Sequence, residues 1–200
     1  VACSVGCKVW NVRTGRQHLN LQPGKSAGRP SFSPDGKWLV IPGVPVTVFD
    51  VATGKEAALL TSHLDFVFGT AFSSDGRFLA TGGRDQLVKI WDTALWRELA
   101  TIKGHSNTIM SVAFSPDNQT LATSSLDKTV KLWPVSQLLK RTPLTRANTF
   151  TVQTLPPKGA ILTPVAFSPD GERLISSITT TLPDGSREVG VRVSVWDLKT

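Results

Sequence analysis

Two hundred residues, 40% of them hydrophobic, suffice to bury a core, and no stretch approaches the roughly 20 apolar residues of a membrane span. Cys3 and Cys7 are the only cysteines, which excludes a disulfide framework, and their spacing is not that of a zinc-binding pair. The net charge of +7 leaves acidic partners open. We therefore expect no metal and no membrane segment.

A short phrase recurs along the chain, each time around a phenylalanine. It reads Ser-Phe-Ser-Pro-Asp-Gly at Phe32, Ala-Phe-Ser-Ser-Asp-Gly at Phe72, Ala-Phe-Ser-Pro-Asp-Asn at Phe114 and Ala-Phe-Ser-Pro-Asp-Gly at Phe167. A second marker, an aromatic residue that closes a strand-like run, stands at Trp10, Phe49, Trp91, Trp133 and Trp196. A period of about 40 residues predicts one structural unit used repeatedly, each copy burying its faces against its neighbours.

The most regular unit runs from Gly104 to about Leu155. Within it, residues 109–115, 120–124 and 129–133 alternate apolar and small or polar side chains, which is typical of strands. Ser115-Pro116-Asp117-Asn118 is a turn signal, because Pro fixes φ and Asp and Asn bond to the local backbone. The pattern predicts an all-β protein whose four-stranded antiparallel sheets pack around an axis as the blades of a β-propeller.

The repeat spacing also predicts the domain organisation. Approximate repeats are placed at 1–22 (partial), 23–60, 61–102, 103–155 and 156–200. The fourth carries an insertion at 135–148, between its third and fourth strands, and the fifth carries a hairpin insertion at 179–190. We expect about 4.5 blades of an incomplete ring, with the rest of the propeller outside this chain. Because an open array exposes strand edges, we expect the chain alone to self-associate.

Several residues of these units carry a family resemblance. Gly104-His105, Leu121 to Ser125, Asp127 and Trp133 resemble the WD40-repeat family of β-propellers, and so does the unit that ends in Trp91-Asp92. The resemblance implies a ring of usually about seven blades. It also implies a buried hydrogen-bond network of His, hydroxyl, Asp and Trp in a blade. The residues at these positions are His63, Thr81, Asp85 and Trp91 in one unit and His105, Thr123, Asp127 and Trp133 in the next.

The same residue types imitate a catalytic triad, but a catalytic group has no reason to recur every 42 residues, which favours the structural interpretation. Other units depart from the pattern. The second unit has apolar residues at the His, hydroxyl and Trp positions: Pro23, Ile41 and Phe49. The last unit keeps Ser176 and Trp196 but has Lys158 at the His position, so we expect it to lack the network.

The resemblance implies a non-catalytic scaffold for protein–protein interactions, with contact positions on the top face of the propeller. The residues at those positions are Phe66, Phe68 and Arg84 in one unit and Thr108, Met110 and Leu126 in the next. Such residue types match binding hot spots, although Phe68 and Leu126 could instead fill the space between blades. The turns resemble bacterial versions of the family, so we expect a cytoplasmic sensor or regulatory part of a larger multidomain protein.

A nucleic-acid or acidic-partner platform is the alternative function. Residues 128–169 contain no Asp or Glu and carry a possible basic patch at Lys140, Arg141 and Arg146. Binding there would depend steeply on salt. Besides Trp133 and Phe167 of the repeat pattern, the stretch has one aromatic residue, Phe150, which lies in a predicted strand. No stacking platform therefore accompanies the charge, which favours a solvated loop.

An enzyme is the third possibility, and its best motif is Pro23-Gly24-Lys25-Ser26, which resembles the end of a phosphate-binding loop. The first glycine of that motif is replaced by Leu19, and no strand–loop–helix context surrounds it. Two of the three histidines belong to the predicted networks, which leaves only His18 for acid–base chemistry. We therefore expect neither catalysis nor a cofactor.

Overall fold

The computed structural model describes residues 6–23, 28–139, 153–155, 162–181 and 187–198. Within these residues the chain forms antiparallel sheets of two, four, four, four and three strands, each built from strands consecutive in sequence. One short helix interrupts the fourth sheet. The predicted fold class, all-β with four-stranded antiparallel blades, is confirmed.

The strands are numbered in chain order, sheet by sheet. The first sheet contains β1 (Cys7–Trp10) and β2 (Gln17–Leu21). The second contains β3 (Ser31–Phe32), β4 (Trp38–Ile41), β5 (Val46–Asp50) and β6 (Glu56–Leu60). The third contains β7 (Val67–Phe72), β8 (Phe78–Gly83), β9 (Leu87–Asp92) and β10 (Arg97–Lys103). The fourth contains β11 (Ile109–Phe114), β12 (Thr120–Ser125), β13 (Val130–Pro134) and β14 (Gln153–Leu155), with α1 (Val135–Leu138) before β14. The fifth contains β15 (Leu162–Phe167), β16 (Arg173–Thr181) and β17 (Arg187–Asp197).

Each sheet after the first packs the face that carries its strand-closing aromatic residue onto the sheet before it. Trp91 and Leu79 of the third sheet share a buried cluster with Val48 of the second. Trp133 of the fourth sheet packs in the same way with Ile90 of the third, and the fifth sheet covers the fourth through Trp196 and its neighbours. Burying a large apolar side chain stabilises by about 1.5–3 kcal/mol, so these interfaces between sheets supply the core.

The recurring Ser-x-Asp phrase forms a hydrogen-bonded turn between the first two strands of a blade. In the third sheet, Ser73 Oγ donates to Asp75 Oδ1 over 2.6 Å, and the amides of Arg77 and Phe78 donate to Asp75 Oδ1 and Ser73 Oγ. The same arrangement recurs at Ser33, Ser115 and Ser168. A short polar side chain that satisfies turn amides explains why this phrase marks each repeat.

Glycine allows the third and fourth sheets to approach closely at their inner strands. A Cβ on Gly69 of β7 would lie 2.9 Å from the Cα of Ser111 in β11. A Cβ on Gly82 would lie 2.5 Å from the Ile109 side chain. Because real Cβ atoms are not found at such distances, these two positions require glycine, and β7 and β11 lie side by side.

The two predicted insertions differ from simple loops where they are described. Val135–Leu138 at the start of the first insertion forms one helical turn, because Val135 and Leu138, three residues apart, face and fill the core between the third and fourth sheets. Residues 140–148 of that insertion lie outside the described residues. In the second, β16 and β17 lengthen and stay paired as far as Thr181 and Arg187, and residues 182–186 lie outside the described part.

Candidate functional site

One end of the third sheet is held by a hydrogen-bond network among four side chains. His63 precedes β7, Thr81 lies in β8, Asp85 in the following turn and Trp91 in β9. His63 Nε2 lies 2.7 Å from Thr81 Oγ1, and His63 Nδ1 lies 2.8 Å from Asp85 Oδ2. The Trp91 indole N–H donates to Thr81 Oγ1 over 2.9 Å. The network joins the loop before β7 to the β8–β9 turn.

The hydrogen-bond partners define the protonation state of this network. Because His63 Nδ1 faces the Asp85 carboxylate, Nδ1 carries the hydrogen, and Nε2 accepts the hydrogen of the Thr81 hydroxyl. Burial lowers the pKa of His63 below 6.5, against the opposing effect of Asp85, so the neutral imidazole is favoured. This is the hydrogen-bond order of a catalytic triad, yet Thr81 is 0% exposed and its oxygen already accepts the Trp91 N–H. A substrate cannot reach that hydroxyl.

The fourth sheet repeats the network with the same geometry. His105 Nε2 and Nδ1 each lie 2.7 Å from their partners, Thr123 Oγ1 and Asp127 Oδ2. Trp133 Nε1 donates to Thr123 Oγ1 over 2.9 Å. Burial also lowers the pKa of His105. Two identical closed networks in successive sheets favour a structural role, since every member is satisfied within its own blade.

The other two units have no such network among the described residues. In the second sheet, Ile41 and Phe49 are buried at the hydroxyl and Trp positions and contribute to an apolar cluster. In the fifth sheet, Ser176 Oγ and Trp196 Nε1 are buried without a hydrogen-bond partner in the described part of the chain. Lys158, predicted at the His position, lies outside the described residues, as do Pro23's neighbours Gly24, Lys25 and Ser26.

The six predicted contact residues lie at the same end of the third and fourth sheets as the networks. We call them the upper rim: Phe66, Phe68, Arg84, Thr108, Met110 and Leu126. The Arg84 amide donates to the Phe66 carbonyl over 2.8 Å, and the Leu126 amide donates to the Thr108 carbonyl over 2.9 Å. These bonds hold the loop before each first strand beside the turn between the second and third strands. Arg84 is exposed, and the other five side chains are half-buried.

Phe68 and Met110 each lie at an irregularity in the pairing of an inner strand. The register shifts between Val67 and Gly69 in β7, and likewise between Ile109 and Ser111 in β11. A bulge of this kind redirects a side chain and is common beside functional surfaces. Since β7 and β11 lie side by side here, the structure places Phe68 and Met110 on adjoining strands.

The alternative role of Phe68 and Leu126 is to fill the space between blades. The four clusters of buried residues in the described part of the chain contain neither of them, nor Phe66 or Met110. Phe68 does contact its neighbour blade through its carbonyl oxygen, which lies against Gly28. Their partial exposure leaves apolar surface available to a partner.

Sequence reasoning missed some residues of this surface. Leu64, directly after the network histidine, is 87% exposed, while its amide donates to Asp85 Oδ2. A leucine in the polar loop before a predicted strand was the available signal. Lys103 and Lys128 are exposed at the same end of the sheets. The predicted basic patch at Lys140, Arg141 and Arg146 lies outside the described residues.

The described ranges contain neither a candidate metal cluster nor a candidate membrane-spanning helix. No group of three or more His, Cys, Asp or Glu side chains there could hold a metal ion. Nor does any helix in those ranges have the length and apolar content needed to cross a membrane.

Comparison with known proteins identifies the repeat. Residues 54–92 and 96–134 match the family model described as WD domain, G-beta repeat. The first match extends from β6 of the second sheet through β9 of the third, and the second from β10 through β13, so each matched repeat spans parts of two sheets.

A curated relative agrees with this match. Over 87 residues, 42% of this chain, the sequence is 33% identical to the target of rapamycin complex subunit wat1 of Schizosaccharomyces pombe. The match covers 28% of that relative's length. Residues 54–92 and 96–134 are therefore WD40 repeats, and both comparisons support the WD40-repeat family and, in general, a scaffold for protein interactions.

Proposed function

We propose that this chain is a non-catalytic scaffold that binds a protein or peptide partner through the upper rim. The observation that carries the proposal is the partial exposure of Phe66, Phe68, Met110 and Leu126 on a backbone that hydrogen bonds hold in place. Aromatic, Met and Arg side chains are enriched at binding hot spots. The relative's name describes a subunit of a complex, which supports a role in assembly with other proteins.

Rigidity at the upper rim supports binding in a further way. The loops that carry Phe66 and Thr108 follow the network histidines, His63 and His105, and are bonded to the opposite turns. Side chains on a backbone that is already ordered lose less conformational entropy when a partner binds. The networks therefore contribute to binding indirectly, by positioning the loops rather than by touching the partner.

The same geometry supports a non-catalytic role. The two His–Asp–Thr sets are closed off by burial, and each threonine oxygen is occupied by a tryptophan N–H. A hydroxyl in that position has no free lone pair directed at solvent and no space beside it for a reacting carbonyl.

Affinity capture with the full-length protein tests the proposal. The test variant is Phe66→Ala/Phe68→Ala/Arg84→Ala. The matched control is Val12→Ala/Leu95→Ala/Arg77→Ala, which removes two exposed apolar side chains and one cation at the opposite end of the sheets. We expect a partner that the wild type and the control retain and the test variant loses.

Near-UV circular dichroism of the tryptophans checks that both variants are folded. A captured partner that a folded test variant keeps as well as the wild type would contradict the proposal and assign the contact elsewhere. Recovery of nucleic acid that falls steeply with added salt would favour the alternative function through residues 128–169.

A further inference from the structure

Exposed basic side chains surround the upper rim. Arg84 belongs to it, and Lys103 at the end of β10 and Lys128 in the β12–β13 turn are also exposed. Arg84 Nε lies 3.8 Å from Asp65 Oδ2, a solvent-exposed pair that contributes little stability. Neither lysine has an ion pair with any carboxylate of the described ranges. These cations are therefore available to a partner.

The remaining carboxylates at this end are directed inward. Asp85 Oδ2 accepts from His63 Nδ1 and the Leu64 amide, and its other oxygen accepts from the Leu87 amide. Asp127 is held in the same way by His105, the Ser106 amide and Thr129. Both carboxyl groups are almost buried, so the charge that a partner meets at this end is mainly positive.

The opposite end of the sheets has a different charge arrangement. There two exposed arginines lie next to turn aspartates: Arg77 Nη1 is 4.0 Å from Asp75 Oδ2, and Arg173 Nη2 is 3.7 Å from Asp170 Oδ2. Each of these two arginines thus has a carboxylate of its own turn beside it. At the upper rim, Lys103 and Lys128 have no such carboxylate in the described ranges and lie at the same end as exposed Leu64.

Apolar surface lies among these cations. Leu64 is almost fully exposed, and Phe66 and Leu126 are half-buried on either side of the same end. From the charge and the apolar surface together, and resting on the proposed function, we propose that the partner segment is an acidic amphipathic peptide. Its Asp or Glu side chains would lie near Arg84 and Lys128, and its aliphatic or aromatic side chains against Phe66, Phe68 and Leu126. Complementary charge sets the specificity and association rate, and the apolar contacts supply most of the affinity.

Fluorescence anisotropy with designed peptides and the full chain tests this inference. Three labelled peptides share the same Leu and Phe residues and carry Glu, Lys or Ser at the remaining positions, and a single-stranded DNA oligonucleotide is a fourth probe. The test variant is Arg84→Glu/Lys128→Glu. The control, Arg77→Glu/Arg173→Glu, changes the net charge equally but at the opposite end.

We expect the Glu peptide to bind the wild type and the control alike, and to bind the test variant about tenfold more weakly. The Lys peptide should bind only the test variant. Equal binding of the Ser and Glu peptides, or equal weakening by the control variant, would overturn the inference. So would strong binding of the oligonucleotide that the test variant loses.

A variant of the apolar residues separates this inference from the proposed function. If the Ser or Lys peptide binds the wild type as tightly as the Glu peptide and Phe66→Ala/Phe68→Ala abolishes that binding, the upper rim binds peptides but the acidic preference is wrong. If no peptide binds, or if binding of every peptide is unchanged in that variant, the inference and the proposed function both fail.

Discussion

Trp91 of β9 donates its indole N–H to Thr81 of the neighbouring strand β8 across 2.9 Å, at a hydroxyl that is fully buried. The same hydroxyl also contacts His63, which lies before the first strand of the sheet. One threonine oxygen thus joins three segments of the blade. The fourth sheet repeats this relationship through Thr123.

Replacing Thr123 with valine should strongly destabilise the chain. The substitution keeps the shape of the side chain but leaves His105 Nε2 and Trp133 Nε1 buried and unpaired. Each buried polar group left unpaired costs about 1–3 kcal/mol, so we expect the free energy of unfolding to fall by about 2–4 kcal/mol. Urea denaturation followed by tryptophan fluorescence measures it.

Thr120→Val is the matched control. Thr120 lies in the same strand, half-buried, and its hydroxyl has no hydrogen bond to a residue of the described ranges. It should change the free energy of unfolding only slightly. Similar losses in both variants would show that the hydroxyl network is not what stabilises the blade.

Stability should decrease as the pH falls through the range in which histidine titrates. Burial lowers the pKa of His63 and His105 in the folded chain below the ordinary value of 6.5. As the pH falls, these histidines therefore bind protons in the unfolded chain before they do so in the folded chain. Their contribution to the free energy of unfolding is complete above a pH of about 6.5 and is lost as the pH drops toward the folded pKa. We expect a lower free energy of unfolding at about pH 5.5 than at about pH 7.5.

His105→Gln tests the origin of that dependence. The variant should be less stable at neutral pH, and its stability should change less between the two pH values. His18→Gln, at an exposed histidine that lies outside both networks and bonds to the Val51 carbonyl, should keep the slope of the wild type. An unchanged slope in His105→Gln would assign the pH dependence to other groups.

The Ser-x-Asp turns make a prediction that can be measured at one carboxyl group. The bond from Ser115 Oγ is the largest cause of the lowered pKa of Asp117, followed by the Gln119 amide. Ser115→Ala should therefore raise the pKa of Asp117 toward 3.8, as followed by NMR titration of its carboxyl carbon. Ser106→Ala, at an exposed serine outside the turns, should leave it in place. An equal pKa in all three proteins would mean that the hydroxyl does not stabilise the carboxylate.

The repeat made much of this architecture predictable from sequence. Trp91 and Trp133 are 42 residues apart, and this spacing aligns the two repeats residue by residue. Once the strands and the hydrogen-bond network around Thr123 are assigned in one repeat, the strands and the network around Thr81 are predicted in the other. Hydrophobic alternation and turn residues then identify the strands. In a repeat protein, the pattern of one unit therefore also predicts which residues of neighbouring units pack together.

Departures from the repeat were not predictable in the same way. The helical turn at Val135–Leu138 depends on a gap between two sheets that only tertiary packing creates. Ser176 and Trp196 keep the strand register of the complete units, because Leu174 pairs with Trp196 as Leu121 pairs with Trp133. The Ser176 hydroxyl and the Trp196 indole N–H nevertheless do not bond to each other. Exposure of Leu64 likewise depends on how the loop is held by Asp85.

The fifth sheet has an apolar face that its counterpart in the fourth sheet does not expose. By strand register, Ile175, Val193 and Val195 correspond to Ala122, Val130 and Leu132. The first three are 42%, 62% and 53% exposed, whereas the second three are 0%, 0% and 7% exposed because the fifth sheet covers them. A contiguous apolar face of this kind favours association.

We expect the 200-residue chain to self-associate through this face, and Val193→Lys/Val195→Lys to reduce the association markedly. The two lysine charges would have to be desolvated in an apolar contact between chains, which is costly. Both positions are exposed in the monomer, so the fold should be preserved. Sedimentation velocity over a concentration series measures the effect. The control Val12→Lys/Leu95→Lys changes two isolated exposed residues in turns and should associate like the wild type. A wild type that stays monomeric at every concentration would refute the prediction, as would equal reduction by both variants.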